Sequence, residues 1–133
     1  MRRTKLVIAL VTLCAAGAML LLAFRGEGDA QVRGGQVDLL ARVVAAEAEG
    51  EPYQGQVAVA AVIMNRVKSR QFPNTLSGVV FQPHAFESVT NGLIWRRSPS
   101  SAAYAAARDA INGYDPTYGC LFFWNPSKPV SGW

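Results

Sequence analysis

Leu39–Tyr53 reads LLARVVAAEAEGEPY, and its spacing decides the fold. Leu40, Val43, Val44 and Glu47 fall at i, i+3, i+4 and i+7, which is one face of an α-helix. Three of these are core-type residues and the fourth is a carboxylic acid. Asp38 is the expected N-cap and Ala48 the expected end, with Gly50 stopping the helix and Pro52 restarting the chain. The apolar edge of a helix end is where a carboxyl group loses water, and a protonated carboxyl is what general acid catalysis needs at neutral pH. The plain alternative is a solvated acidic helix end. The helix macrodipole disfavours acids there, so something other than helix stability is expected to have placed them. At ~100° per residue Glu49 is turned roughly 200° from Glu47, and Glu51 lies beyond Gly50.

Downstream, Gln54–Ser69 is apolar on most sides until Asn65 and is expected to be the buried central helix. Val57, Ala60, Ala61 and Met64 share one face; Val59, Ile63 and Arg66 occupy a second. Residues 71–91 are expected as loop, with one short strand at Val79-Val80-Phe81. A third helix is expected over Ser100–Asn112, rich in alanine and ended by Gly113. Leu121–Trp124 is a short apolar, strand-like run closed by Asn125-Pro126, and its burial is expected to complete the core. Aromatic and amide residues on loops beside an acid suit a carbohydrate cleft. Glu49, Tyr53, Gln56, Gln82, Phe86, Phe123 and Asn125 are the candidate substrate contacts. For each aromatic the alternative is a plug for a small core.

Upstream, Arg2, Arg3 and Lys5 precede nineteen uncharged residues, Leu6–Phe24, the pattern of an export signal or a membrane anchor. The run approaches the ~20 residues needed to span a bilayer. Residues 1–30 are therefore expected to export or tether the chain, 31–37 to be a linker, and 38–133 to be one domain. The domain would work outside the cytoplasmic membrane.

Charge and cysteine usage narrow the chemistry. Of the 133 residues, 13 are Lys or Arg and 9 are Asp or Glu, but the first five residues hold three of the positive charges. From Gln31 onward nine basic residues face seven acidic ones, too mild an excess for a nucleic-acid binder. Cys14 lies in the apolar run and Cys120 far from it, so no disulfide is expected. One histidine, His84, and no Cys/His cluster make neither a metal site nor a cofactor site expected. A Cys120–His84 nucleophile pair is disfavoured against a small buried cysteine and a loop histidine.

Three segments carry a resemblance: ARVVAAEAEGEPYQGQVAVAAVIMNRV, FPNTLSGVVFQPHAFESV and AARDAINGYDPTYGCLFFWNP. They resemble the spore cortex-lytic and cell wall hydrolase family that includes the SleB and CwlJ proteins. The resemblance covers the chain from about Leu40 to Trp133. It implies a small, mainly helical, lysozyme-like α+β domain with a cleft. It also implies cleavage of the peptidoglycan glycan strand, in spore cortex lysis or wall remodelling, and it places the family's catalytic glutamate on Glu47. A lytic transglycosylase needs that one carboxyl group, as acid and then as base. A hydrolase of the usual kind needs a second roughly 5–9 Å away. Glu49, Glu51, Glu87, Asp109 and Asp115 are the candidates for it. The family domain runs on past its NP…W segment through a stretch with Gly, His and Phe, so either the last strand is dispensable or this is a truncated form. Two other readings are a non-catalytic wall-binding module that kept the fold and, more weakly, an amidase or peptidase acting on the stem peptide.

Overall fold

The computed structural model describes residues 29–124. The expected anchor Leu6–Phe24, Cys14 and Asn125 lie outside them. The chain divides into two units, residues 1–35 and 36–133. Of the first unit, residues 29–35 are helical and exposed. The second unit holds six helices among its described residues.

Helix α1 covers residues 36–47. The 31–37 stretch expected as a linker is therefore helical, and Asp38 sits inside α1 instead of capping it. Gly34 and Gly35 each cost about 1 kcal/mol against alanine. Asp38 instead accepts hydrogen bonds from Arg42 Nε at 2.8 Å and from the Tyr104 hydroxyl at 2.7 Å, tying α1 to the alanine-rich helix that carries Tyr104. Those two bonds, Tyr104 first, lower the Asp38 pKa from its ordinary value. Gly50, at φ +86°, turns the chain in the left-handed region after α1, where a side chain would be strained.

Helix α2 is Tyr53–Lys68 and begins directly after Pro52, whose fixed φ suits a helix start. Its residues Val57, Ala60, Ala61 and Ile63 are buried. Helix α6, Ser101–Ile111, packs along it through Ala103, Ala106, Ala107 and Ala110. Alanine on the α6 side lets the two backbones approach closely. The Ser100 side chain caps α6 by accepting from Ala103 N at 3.1 Å, and Gly113 at φ +100° ends it, as the sequence led us to expect.

Between them lie three short helices: α3 Leu76–Val80, α4 Glu87–Thr90 and α5 Leu93–Arg96. The strand expected at Val79–Phe81 is thus the end of a helix. Thr75 caps it by accepting from Gly78 N at 3.1 Å, and Leu76, Val79 and Val80 are buried at i, i+3, i+4. Two β-branched residues in a row suggested a strand, but the cap and the helical spacing prevail.

The run Leu121–Trp124 is not a strand either, and no strand occurs among the described residues. The domain is mainly helical, and the β component of the expected α+β class is absent there. Nor does this run fill the core: Phe122 is 69% exposed and Trp124 65%. With no neighbouring strand to pair it, its apolar side chains stand at the surface. Cys120, expected to be buried, is exposed too.

Candidate functional site at the end of helix α1

The helical spacing of LLARVVAAEAEGE is realised in α1. Leu40, Val43 and Val44 are fully buried, and Glu47, one turn on, is half-buried at the edge of that face. Its carboxylate is not loose. Ser88 Oγ, on α4, donates to Glu47 Oε1 at 2.5 Å, and Ser88 is itself buried. A hydrogen bond to an ionisable carboxyl at this length is of the strong kind.

Two residues before Ser88 the chain enters an aromatic cluster. Phe86, the residue before α4, is buried and stacks on Phe123 with ring centres 6.4 Å apart and planes at 23°. Arg66 enters this cluster from α2. Its guanidinium lies 5.2 Å from the Phe72 ring centre, 5.3 Å from Phe122 and 5.4 Å from Phe86. Arg66 is buried, and burial pushes its pKa down from the usual arginine range. Contact with three ring faces offsets part of that desolvation. Its Nε donates to the Leu121 carbonyl at 2.7 Å. Its neighbour Asn65 donates from Nδ2 to Asp115 Oδ2 at 2.9 Å and to the Cys120 carbonyl at 3.1 Å. The last turn of α2 thus fastens the 115–123 segment that brings Phe123 over Phe86.

Asp115 organises that segment. It accepts from the Thr117 hydroxyl at 2.6 Å, Thr117 N at 2.8 Å and Gly119 N at 2.8 Å. The Thr117 hydroxyl first, then Asn65 and the two backbone amides, hold its carboxyl well below the usual carboxylate range, against an opposing effect of burial.

Glu49 points elsewhere. It pairs with Arg97 at 2.6 Å, and Arg97 also donates to the Ala45 carbonyl at 3.3 Å. A cavity of about 110 Å³ opens on that side, lined by Glu49, Gln56, Ser98 and Ser100 among others, and Glu47 is not part of its wall. The two acids therefore face different partners, Glu47 from the last turn of α1 and Glu49 from the turn beyond it, where helical rotation no longer applies.

Of the other candidates, Phe86 and Phe123 stack on each other, Phe86 lying two residues before Ser88 in the chain. Gln56 lines the Glu49 cavity and donates to the Glu51 carbonyl at 3.1 Å. The Tyr53 hydroxyl donates to Asp109 at 2.7 Å, which raises the pKa of the phenol. Gln82 is exposed in the turn after α3, its carbonyl accepting from Ala85 N at 3.1 Å. Sequence reasoning missed Ser88, Asn65 and Arg66 as site residues. Arg66 had left a signal, as an arginine on the Val59–Ile63 face of a buried helix.

Residues 50–133 match the family model for Cell Wall Hydrolase. The chain belongs to the cell wall hydrolase family. Glu47 lies three residues before the matched segment, so its reading rests on geometry and on the motif resemblance. Among similar proteins, a spore cortex-lytic enzyme of Oceanobacillus iheyensis is 53% identical over 97 residues, 73% of this chain and 35% of that enzyme. Cell wall hydrolase CwlJ of Bacillus subtilis is 43% identical over 96 residues, 68% of this chain and 67% of that protein. The chain thus spans about a third of the length of the cortex-lytic relatives it matches. The fold matches the catalytic domain of Bacillus cereus SleB with a TM-score of 0.66 and 52% identity, over 74% of this chain and 76% of that one. It also matches the catalytic domain of the germination-specific lytic transglycosylase SleB from Bacillus anthracis. There the TM-score is 0.67 and the identity 51%, over 74% of this chain and 80% of that one.

Proposed function

We propose that this family member cleaves the glycan strand of peptidoglycan as a lytic transglycosylase, with Glu47 as its single general acid and base. The observation that carries the reading is the Glu47 carboxyl, half-buried and held by the buried hydroxyl of Ser88, two residues on from Phe86 of the Phe86–Phe123 stack. As acid, Glu47 gives its proton to the oxygen bridging N-acetylmuramic acid and N-acetylglucosamine. The C1–O bond breaks with its electron pair leaving on that oxygen. As base, the carboxylate then takes the proton of the muramyl 6-hydroxyl while that oxygen bonds to C1. The product is a 1,6-anhydro ring, Glu47 is protonated again, and no water is consumed.

Three of the five candidate second carboxylates are engaged elsewhere: Glu49 with Arg97, Asp109 with Tyr53, and Asp115 within its own turn. That supports the one-acid mechanism over a two-carboxylate hydrolysis. Glu47→Gln keeps the shape and removes the transferable proton. The expected outcome is a ~10²–10⁴-fold loss of lysis of purified sacculi or decoated spores. Mass spectrometry of wild-type products should show anhydro-muramyl ends; reducing ends, heavier by one water, would replace this mechanism with hydrolysis.

The domain is further proposed to act outside the cytoplasmic membrane, on wall or cortex, with Leu6–Phe24 exporting or tethering it. Fractionation with N-terminal sequencing tests this: a mature chain beginning at Gln31 means a cleaved signal, and soluble cytoplasmic protein rejects the idea.

A further inference from the structure

We propose that Ser88 is a positioning residue that fixes which oxygen of Glu47 carries the transferable proton. The inference deepens the single-acid reading and rests on it. Ser88 has one hydroxyl proton to give, and it gives it to Glu47 Oε1 at 2.5 Å. An oxygen that accepts this bond is the carbonyl-like oxygen of the neutral acid, so the acid's own proton sits on Oε2. Oε2 then delivers the proton to the bridging oxygen and takes back that of the 6-hydroxyl. Through both steps Ser88 keeps its bond to Oε1 and shares the charge that appears there. Without it, the terminal torsion of a glutamate is broad and nearly two-fold, and either oxygen can face the substrate.

The choice of partner argues against a merely local role. Thr90, two residues on in the same helix, does the ordinary thing. Its hydroxyl bonds the Phe86 carbonyl four residues back, at 3.3 Å. Ser88 passes over that kind of partner for a carboxylate 41 residues away in sequence. It can do so because buried Phe86, under Phe123 and against Arg66, fixes the start of α4. Ser88 is only 4% exposed, so water cannot readily replace its hydroxyl.

The test measures kcat and KM of the full chain on solubilised glycan strands for Ser88→Ala, Ser88→Thr and Glu47→Gln, with thermal midpoints for each. Ser88→Ala is expected to lower kcat ~10- to 100-fold, the scale of a misplaced reacting group, with KM within about twofold and an unchanged midpoint. Ser88→Thr, which keeps the hydroxyl, should recover most of kcat. If Ser88→Ala or Ser88→Thr melts early, Ser88→Cys serves in its place, close in shape and a weak donor; its kcat should fall between alanine and wild type. Near-normal kcat in Ser88→Ala beside an inactive Glu47→Gln overturns the positioning role and leaves the single-acid reading standing. A rise in KM alone also overturns it, because Ser88 would then be contacting substrate. An active Glu47→Gln overturns both.

Discussion

The α2–α6 interface and the 115–124 segment are held by opposite means. In the first, Val57, Ala60, Ala103, Ala106, Ala107 and Ala110 are buried, and packing of small apolar surfaces does the work. In the second, the large apolar residues Phe122 and Trp124 are mostly exposed while polar groups do the fastening. Asp115 gathers its own turn, Asn65 holds Asp115 and Cys120, and Arg66 holds Leu121. The difference separates two duties. Burial gives the domain its stability, and directional hydrogen bonds hold the segment that seats Phe123 on Phe86 while Phe122 and Trp124 stay exposed.

Three substitutions would break or sharpen that contrast. Ile63→Ala opens a cavity in the fully buried core around α2 and should destabilise the domain by ~2–5 kcal/mol, read by urea unfolding. A loss under 1 kcal/mol would mean the packed core is not where stability resides.

Asp115→Asn should cost less, about 1 kcal/mol at pH 7, because its hydrogen bonds are partly screened by solvent. Its sign with pH follows from the depressed pKa. The stabilisation is fully present above the unfolded value near ~4 and is lost as pH falls through the lower folded value. Wild type and Asp115→Asn should therefore differ at pH 7 and converge as pH is lowered from about 4 toward 2. Curves that stay parallel would deny the carboxylate its role.

Glu49→Gln should matter least. Its pair with Arg97 is exposed, 58% on the Glu49 side, so ~0–1 kcal/mol is expected, with lysis close to wild type. Loss of activity comparable to Glu47→Gln would exchange the roles of the two acids and move the site to the Glu49 cavity.

The legible part of this chain was the part written in local spacing. The face of Leu40, Val43, Val44 and Glu47 and the alanine helix closed by Gly113 both follow from helical geometry and its end signals. Where spacing misled, a short element was at stake. Val79-Val80-Phe81 has β-branched propensity, but Thr75 capped a helix over it. Leu121–Trp124 has the composition of a buried strand, but among the described residues no strand lies beside it to pair with.

Sequence alone therefore determined the three long helices, the core face and the acid at its edge, because each depends on residues within a few turns of one another. Only the tertiary structure decided what surrounds that acid. Ser88 meets Glu47 across 41 residues, and Arg66 meets the Leu121 carbonyl across 55. Such contacts exist only once α1, α2, α4 and the 115–123 segment converge. No periodicity records them, since a hydrogen bond needs its partner within about 3 Å and one sequence specifies no distance between remote residues.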